Sequence, residues 1–118
     1  MSGEPAKMIT LNSSDKQTFI VEETIALQSK TLELMIADIE TETIVIHLPS
    51  ITGNILAKVI EYCNKHAEVA TSDEDKRLWD AQFVNFVSTD ILFSITLAAD
   101  SLNIEGLLDF FENFFNKR

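Results

Sequence analysis

The chain has 118 residues, with 19 acidic against nine basic side chains and a formal net charge of −10. That length supports one domain. The charge argues against nucleic acid, whose phosphates need Lys and Arg, and against an anionic membrane surface. From the N-terminus, Ile9 and Leu11 alternate with polar residues, SSDKQ turns, and Phe19 and Val21 alternate again, which predicts a β-hairpin. EETIALQ reads as a short helix. Ser29 is placed to cap the next helix, with Leu32, Met35, Ile36 and Ile39 on its inner face. TIVIHL predicts a third strand, with Ile44, Ile46 and Leu48 on one side and Pro49 ending it. A longer helix is expected from about Thr52 to His66, carrying Ile55, Leu56, Val59, Ile60 and Cys63 in helical register.

The composition then changes. EVATSDEDKR, residues 68–77, is polar, acidic and aperiodic, and predicts a flexible surface loop. Trp79, Phe83, Val84 and Phe86 restart the pattern as a short helix that pins the far end of the loop to the domain. Ser88 or Thr89 caps another helix, with Ile91, Leu92, Ile95, Ala98, Ala99 and Leu102 facing inward. The expected organisation is an N-terminal portion over 1–66, an acidic flexible loop over 67–78 and C-terminal helices over 79–118. The fold class is α/β, a small three-stranded sheet at one side of about six helices.

The last segment, LLDFFENFFNKR, has four phenylalanines in its final nine positions. At about 100° per residue, Ile104, Leu107, Leu108, Phe111 and Phe115 cluster on one side of a helix. Phe110 and Phe114 widen that side to roughly 160°, against the ~100° stripe of an ordinary core-facing helix. Two readings stand: the extra width is core, or it is a surface that meets a partner.

Chemistry is sparse. Glycines at 3, 53 and 106 build no phosphate-cradling loop. Cys63 and His66, three apart on a helix, are half of a metal site at most, with His47 or carboxylates needed for the rest. A Ser/His/Asp or Cys/His relay would have to use His47 or His66, and neither lies near a turn that presents a nucleophile. No catalytic residue, metal or cofactor is expected, and no small-molecule substrate. Cys63 has no disulfide partner in the chain, which fits a reducing compartment. The opening MSGEPAKMITLN carries no apolar signal core, and the longest apolar stretch, residues 91–99, is half of a membrane span. The expected location is nucleus and cytoplasm.

Several segments together resemble one family. LNSSDKQTFIVEE followed by ALQSKTLELM is similar to the opening hairpin and helices of the Skp (S-phase kinase-associated protein 1-like) adaptors, which have a BTB/POZ-like fold. HLPSITGNILAKVIEYCNKH resembles that family's strand, proline and long helix. WDAQFVNF resembles its Trp-Asp-x-x-Phe segment, and ILFSITLAADSLNIEGLLD its helix pair, with Leu102, Ile104, Gly106, Leu107, Leu108 and Asp109 matching LxIxGLLD. The resemblance runs from about Lys7 to Asp109. It implies a non-catalytic adaptor joining F-box substrate receptors to a cullin in an SCF ubiquitin ligase. It assigns Ile95, Ala98, Leu102, Ile104, Leu107, Leu108, Phe110, Phe111, Phe114 and Phe115 to the F-box side, and Asp100 and Ser101 to the cullin side.

Three departures from the family stand out. The family continues with two further helices after the stretch matching Leu107–Phe115 that this sequence does not contain, and the expectation is that the wide aromatic arc is half core and half a platform facing the F-box. At Asp100-Ser101 the family usually carries Asn-Tyr. Loss of an interfacial Tyr costs about 2 kcal/mol or more at a hot spot, so weaker cullin binding is expected. SSDKQ in place of an Asp-Gly turn implies a different hairpin turn. The rival functional readings are an elongin-C-like or self-associating BTB module, an enzyme using Cys63 or a histidine, and a truncated copy with impaired assembly.

Overall fold

The structure, a computed structural model, describes residues 7–39, 43–68, 71–85 and 87–116, the last span without the side chains of Phe115 and Asn116. Its elements are β1 (Met8–Asn12), β2 (Thr18–Glu22), α1 (Glu23–Ala26), α2 (Lys30–Ala37), β3 (Ile44–His47), α3 (Gly53–Ala67), α4 (Asp73–Asn85), α5 (Thr89–Leu102) and α6 (Glu105–Asn116). The sheet order is β2-β1-β3. β1 pairs antiparallel with β2, with Ile9 opposite Val21 and Leu11 opposite Phe19. It pairs parallel with β3, with Ile9 opposite Ile44 and Leu11 opposite Ile46. Strand side chains alternate between faces, so this register collects Ile9, Leu11, Val21, Ile44 and Ile46 on one buried face. Met8, Ile20 and Val45 stand on the outer face and are exposed.

The hairpin turn also starts the longest helix. Lys16 takes a left-handed conformation at φ 67°, and Ser13 N–H donates to Gln17 O at 2.9 Å. Asp15 is thereby turned outward and accepts a hydrogen bond from Gly53 N–H at 2.9 Å. The side chain of Thr52, at the N-cap position of α3, makes no capping bond. A carboxylate 38 residues upstream therefore supplies the acceptor that the helix start lacks. The hydrogen bond from Ser13 Oγ, then the one from Gly53, holds the Asp15 carboxyl below the usual carboxylate range.

α3 is the central helix. Its Ile55, Leu56, Val59, Tyr62 and Cys63 are buried together with Leu92, Ile95, Ala98, Ala99 and Leu102 of α5. Ser29 caps α2 by accepting from Leu32 N–H at 3.0 Å, and it also donates to Leu102 O at the end of α5. Lys30 N–H donates to Asn103 O at 3.1 Å, and Thr31 Oγ1 to Ser101 O at 3.0 Å. Two hydroxyls and one backbone N–H at the start of one helix thus satisfy the free carbonyls at the end of another. Ser88 caps α5 through Ile91 N–H at 3.3 Å.

Two expectations from the sequence are corrected. The acidic segment read as loop over 67–78 is helical from Asp73, and α4 has 13 residues. Ser72 Oγ accepts from Asp75 N–H at 3.1 Å, and Asp73, Glu74 and Asp75 occupy the first turn, where carboxylates suit the positive end of the helix. Lys76 Nζ donates to His66 O at 3.2 Å and ties this turn to α3. Val69, Ala70 and Phe86 lie outside the described residues. On α2 the inner face is Leu32 and Ile36 alone; Met35 lies about 100° round the helix from Ile36 and is exposed, and Ile39, beyond the helix end at Ala37, is half-buried.

Candidate partner-binding site

The residues expected to meet a partner divide by burial. Ile95, Ala98, Leu102, Ile104, Leu107 and Phe111 are enclosed by the chain's own core. They are packing residues in this fold, and the open surface is narrower than the aromatic arc read from the sequence. Leu108 and Phe110 are half-buried, and Phe114 is 37% exposed. Phe115 lies outside the described side chains.

What remains open is a groove of about 470 Å³ between α4 and α6, lined by Arg77, Ala81, Val84, Asn113, Phe110 and Phe114 among others. Its two phenylalanines belong to a run of aromatic contacts that continues into the core. The Phe110 ring lies 6.1 Å from Tyr62, 5.4 Å from Phe111 and 6.3 Å from Phe114. Tyr62 continues the run, stacking on His66 at 4.1 Å, and its hydroxyl donates to Gly106 O at 3.4 Å. Asp80, buried at the groove wall, has its carboxylate 2.7 Å from His66 Nε2. A buried carboxylate needs such a partner, and this pair ties α4 to α3.

A second surface lies on the outer side of α5. Asp100 and Ser101 are both exposed in its last turn. Phe93 and Leu97, at helical spacing before them, are 64% and 56% exposed. Beside this stripe runs a groove of about 330 Å³ lined by Ser50, Ile51, Ile55, Ser94, Leu97 and Ser101 among others. The sequence reading named only Asp100 and Ser101 here. Phe93 and Leu97 carried a usable signal, since both are apolar yet fall off the inward stripe of the same helix.

The chemistry of the remaining candidates is structural. Burial pushes the Cys63 thiol up to about 12, so it is neutral near pH 7 and a poor nucleophile. Burial foremost, with the nearby Asp80 charge, raises the Tyr62 hydroxyl as well. His66 is committed to Asp80, and His47 Nδ1 lies 3.4 Å from Asn12 Nδ2. Among the described residues, no three His, Cys, Asp or Glu side chains are grouped to hold a metal, and no helix is long and apolar enough to cross a membrane.

A mixed three-stranded sheet with helices gathered on its buried face makes a small α/β domain, and the family match makes it BTB/POZ-like. The family described as "Skp1 family, tetramerisation domain" matches residues 7–68. The chain is 45% identical over 115 residues to SKP1-like protein 1A of Arabidopsis thaliana, an alignment covering 88% of this chain and 71% of that protein. It is 44% identical over 118 residues to SKP1-like protein 4 of the same plant, covering 90% and 71%. To SKP1-like protein 1 of Oryza sativa subsp. japonica it is 44% identical over 123 residues, covering 87% and 70%. The chain belongs to the Skp1 family.

Proposed function

We propose that this chain is a non-catalytic adaptor that links F-box substrate receptors to a cullin in an SCF ubiquitin ligase, acting in nucleus and cytoplasm. The observation that carries the reading is that a Skp1-family chain keeps two separate apolar surfaces. One is the α4–α6 groove with Phe110 and Phe114; the other is the α5 stripe of Phe93 and Leu97 beside Asp100 and Ser101. An adaptor has to hold two partners at once, and two surfaces on different helices allow that. The F-box is assigned to the first, with Phe110 and Phe114 as its contacts, and the cullin to the second. The buried Ile104, Leu107 and Phe111 act indirectly, by packing α6 and its start into the core.

The test is a pull-down with a panel of F-box proteins, with cullin probed in the same eluate. Phe114→Lys is expected to lose the F-box protein while keeping cullin, and Leu97→Asp the reverse. Asp100→Asn with Ser101→Tyr is expected to strengthen cullin binding by about tenfold or more and leave F-box binding unchanged. If neither partner is retained by the unsubstituted chain, the adaptor reading fails. An elongin-C-like or self-associating BTB module is then the alternative, distinguished by solution mass.

A further inference from the structure

A third surface belongs to neither role. β2 is an edge strand, with β1 on one side and, among the described residues, no strand on the other. One side of its five-residue backbone, about 17 Å long, therefore carries N–H and C=O groups outside the sheet ladder. Beside that edge runs a trough of about 460 Å³. Phe19 of β2 forms one wall, Ile60, Glu61, Asn64 and Lys65 of α3 the other, and Trp79 of α4 closes it. Phe19, Ile60 and Trp79 are each half-buried. On the outer face of the same strand Ile20 is 64% exposed. The edge thus has main-chain hydrogen-bonding groups with apolar surface on both sides, which is what an added strand requires.

Charge selects the occupant. Along α3, Lys58 and Lys65 already pair with Glu61 and Glu68 at 3.6 and 3.3 Å. At the C-terminal end of the edge, Glu22 and Glu23 make no ion pair among the described residues. At the other end stands Lys16. A second copy of this chain would bring another −10 of net charge to the contact and repel it.

We infer that the β2 edge and the Phe19–Trp79 trough form a docking site for an extended peptide that adds antiparallel to β2 and begins with basic residues. Antiparallel addition sets the first residues of the peptide against Glu22 and Glu23. The residues opposite Val21 and Phe19 then point to the trough side, and the residue opposite Ile20 covers that side chain. A peptide reading basic, apolar, β-branched, apolar, polar meets each position in turn.

The probe is the synthetic peptide Arg-Lys-Val-Ile-Leu-Thr-Ser, titrated into the isotopically labelled full chain. Amide shifts are expected over Thr18–Glu22 together with the Trp79 indole. Replacing the peptide's Arg and Lys by Glu, or introducing Glu22→Lys in the chain, is expected to weaken binding by about tenfold or more. N-methylation of alternate peptide amides removes the donors an added strand uses and is expected to abolish binding. The inference is overturned if the N-methylated peptide binds as well as its parent, or if the shifts fall on the α4–α6 groove instead. It is also overturned if the peptide produces no shifts, or if the unliganded chain dimerises through β2. Retention of F-box protein by the Glu22→Lys chain, measured alongside, keeps this outcome separate from that of the adaptor reading.

Discussion

Replacing Phe111 by alanine removes a ring that is 1% exposed and lies against Phe110 at 5.4 Å. Phe-to-Ala changes at such sites cost about 3–5 kcal/mol, because the transfer free energy of the ring is lost and the cavity collapses only in part. With a urea dependence of about 1.5–2 kcal/mol per molar for a domain of this size, the midpoint should fall by about 2–3 M. Phe114→Ala removes a ring already 37% exposed, and its cost should stay within about 1 kcal/mol. Phe110 falls between them. It is half-buried and shares contacts with Tyr62, Phe111 and Phe114, so its truncation should cost about 1.5–2.5 kcal/mol, partly from lost aromatic pairing. Urea denaturation of the three variants, followed by circular dichroism, gives the order directly. Should Phe114 cost as much as Phe111, the outer edge of α6 is core, and no platform exists there for a partner.

Trp79→Ala should cost about 2–3 kcal/mol, less than a fully buried tryptophan, since the ring is half-buried and stacks on Phe83 at 5.0 Å; a thermal melt unchanged from wild type would remove Trp79 from the packing of α4. Ser29→Ala should cost about 1.5–3 kcal/mol, because both Leu32 N–H and Leu102 O lose their partner in a buried position; a loss below about 0.5 kcal/mol would mean that water replaces the hydroxyl. Asp15→Asn should matter at neutral pH and not in acid. The folded-state carboxyl is held below its unfolded value of about 3.9, so its contribution is present above that value and disappears as pH falls through the lowered one. Melting curves of the two proteins from pH 7 to pH 2 should converge at the acid end, and a constant gap would refute the helix-start role.

In the strands and in α3 and α5, the sequence alone determined most of the residues that face inward, whereas on α2 it misplaced Met35. Alternation placed Ile9, Leu11, Ile44 and Ile46 on one face of the sheet, and helical spacing placed Leu56, Val59 and Cys63, or Ile95, Ala99 and Leu102, on one side of a helix. These periods follow from backbone geometry, which is local. Ser29 and Ser88 were legible as caps for the same reason. The matched segments also carry the family resemblance, which is a property of local sequence. The start of α4 was not legible, because its first turn has no apolar period; the turn forms through the Ser72 cap, its acidic residues and the reach of Lys76 to α3. The capping of α3 by Asp15 spans 38 residues, and no local pattern encodes such a pairing. The tertiary structure alone decided how much of the aromatic arc stays open. Periodicity gives the direction of a side chain from its own helix axis, whereas exposure depends on which neighbour stands there. Tyr62 of α3 reaches over to cover part of Phe110, while Phe114, one turn further along α6, extends past that cover.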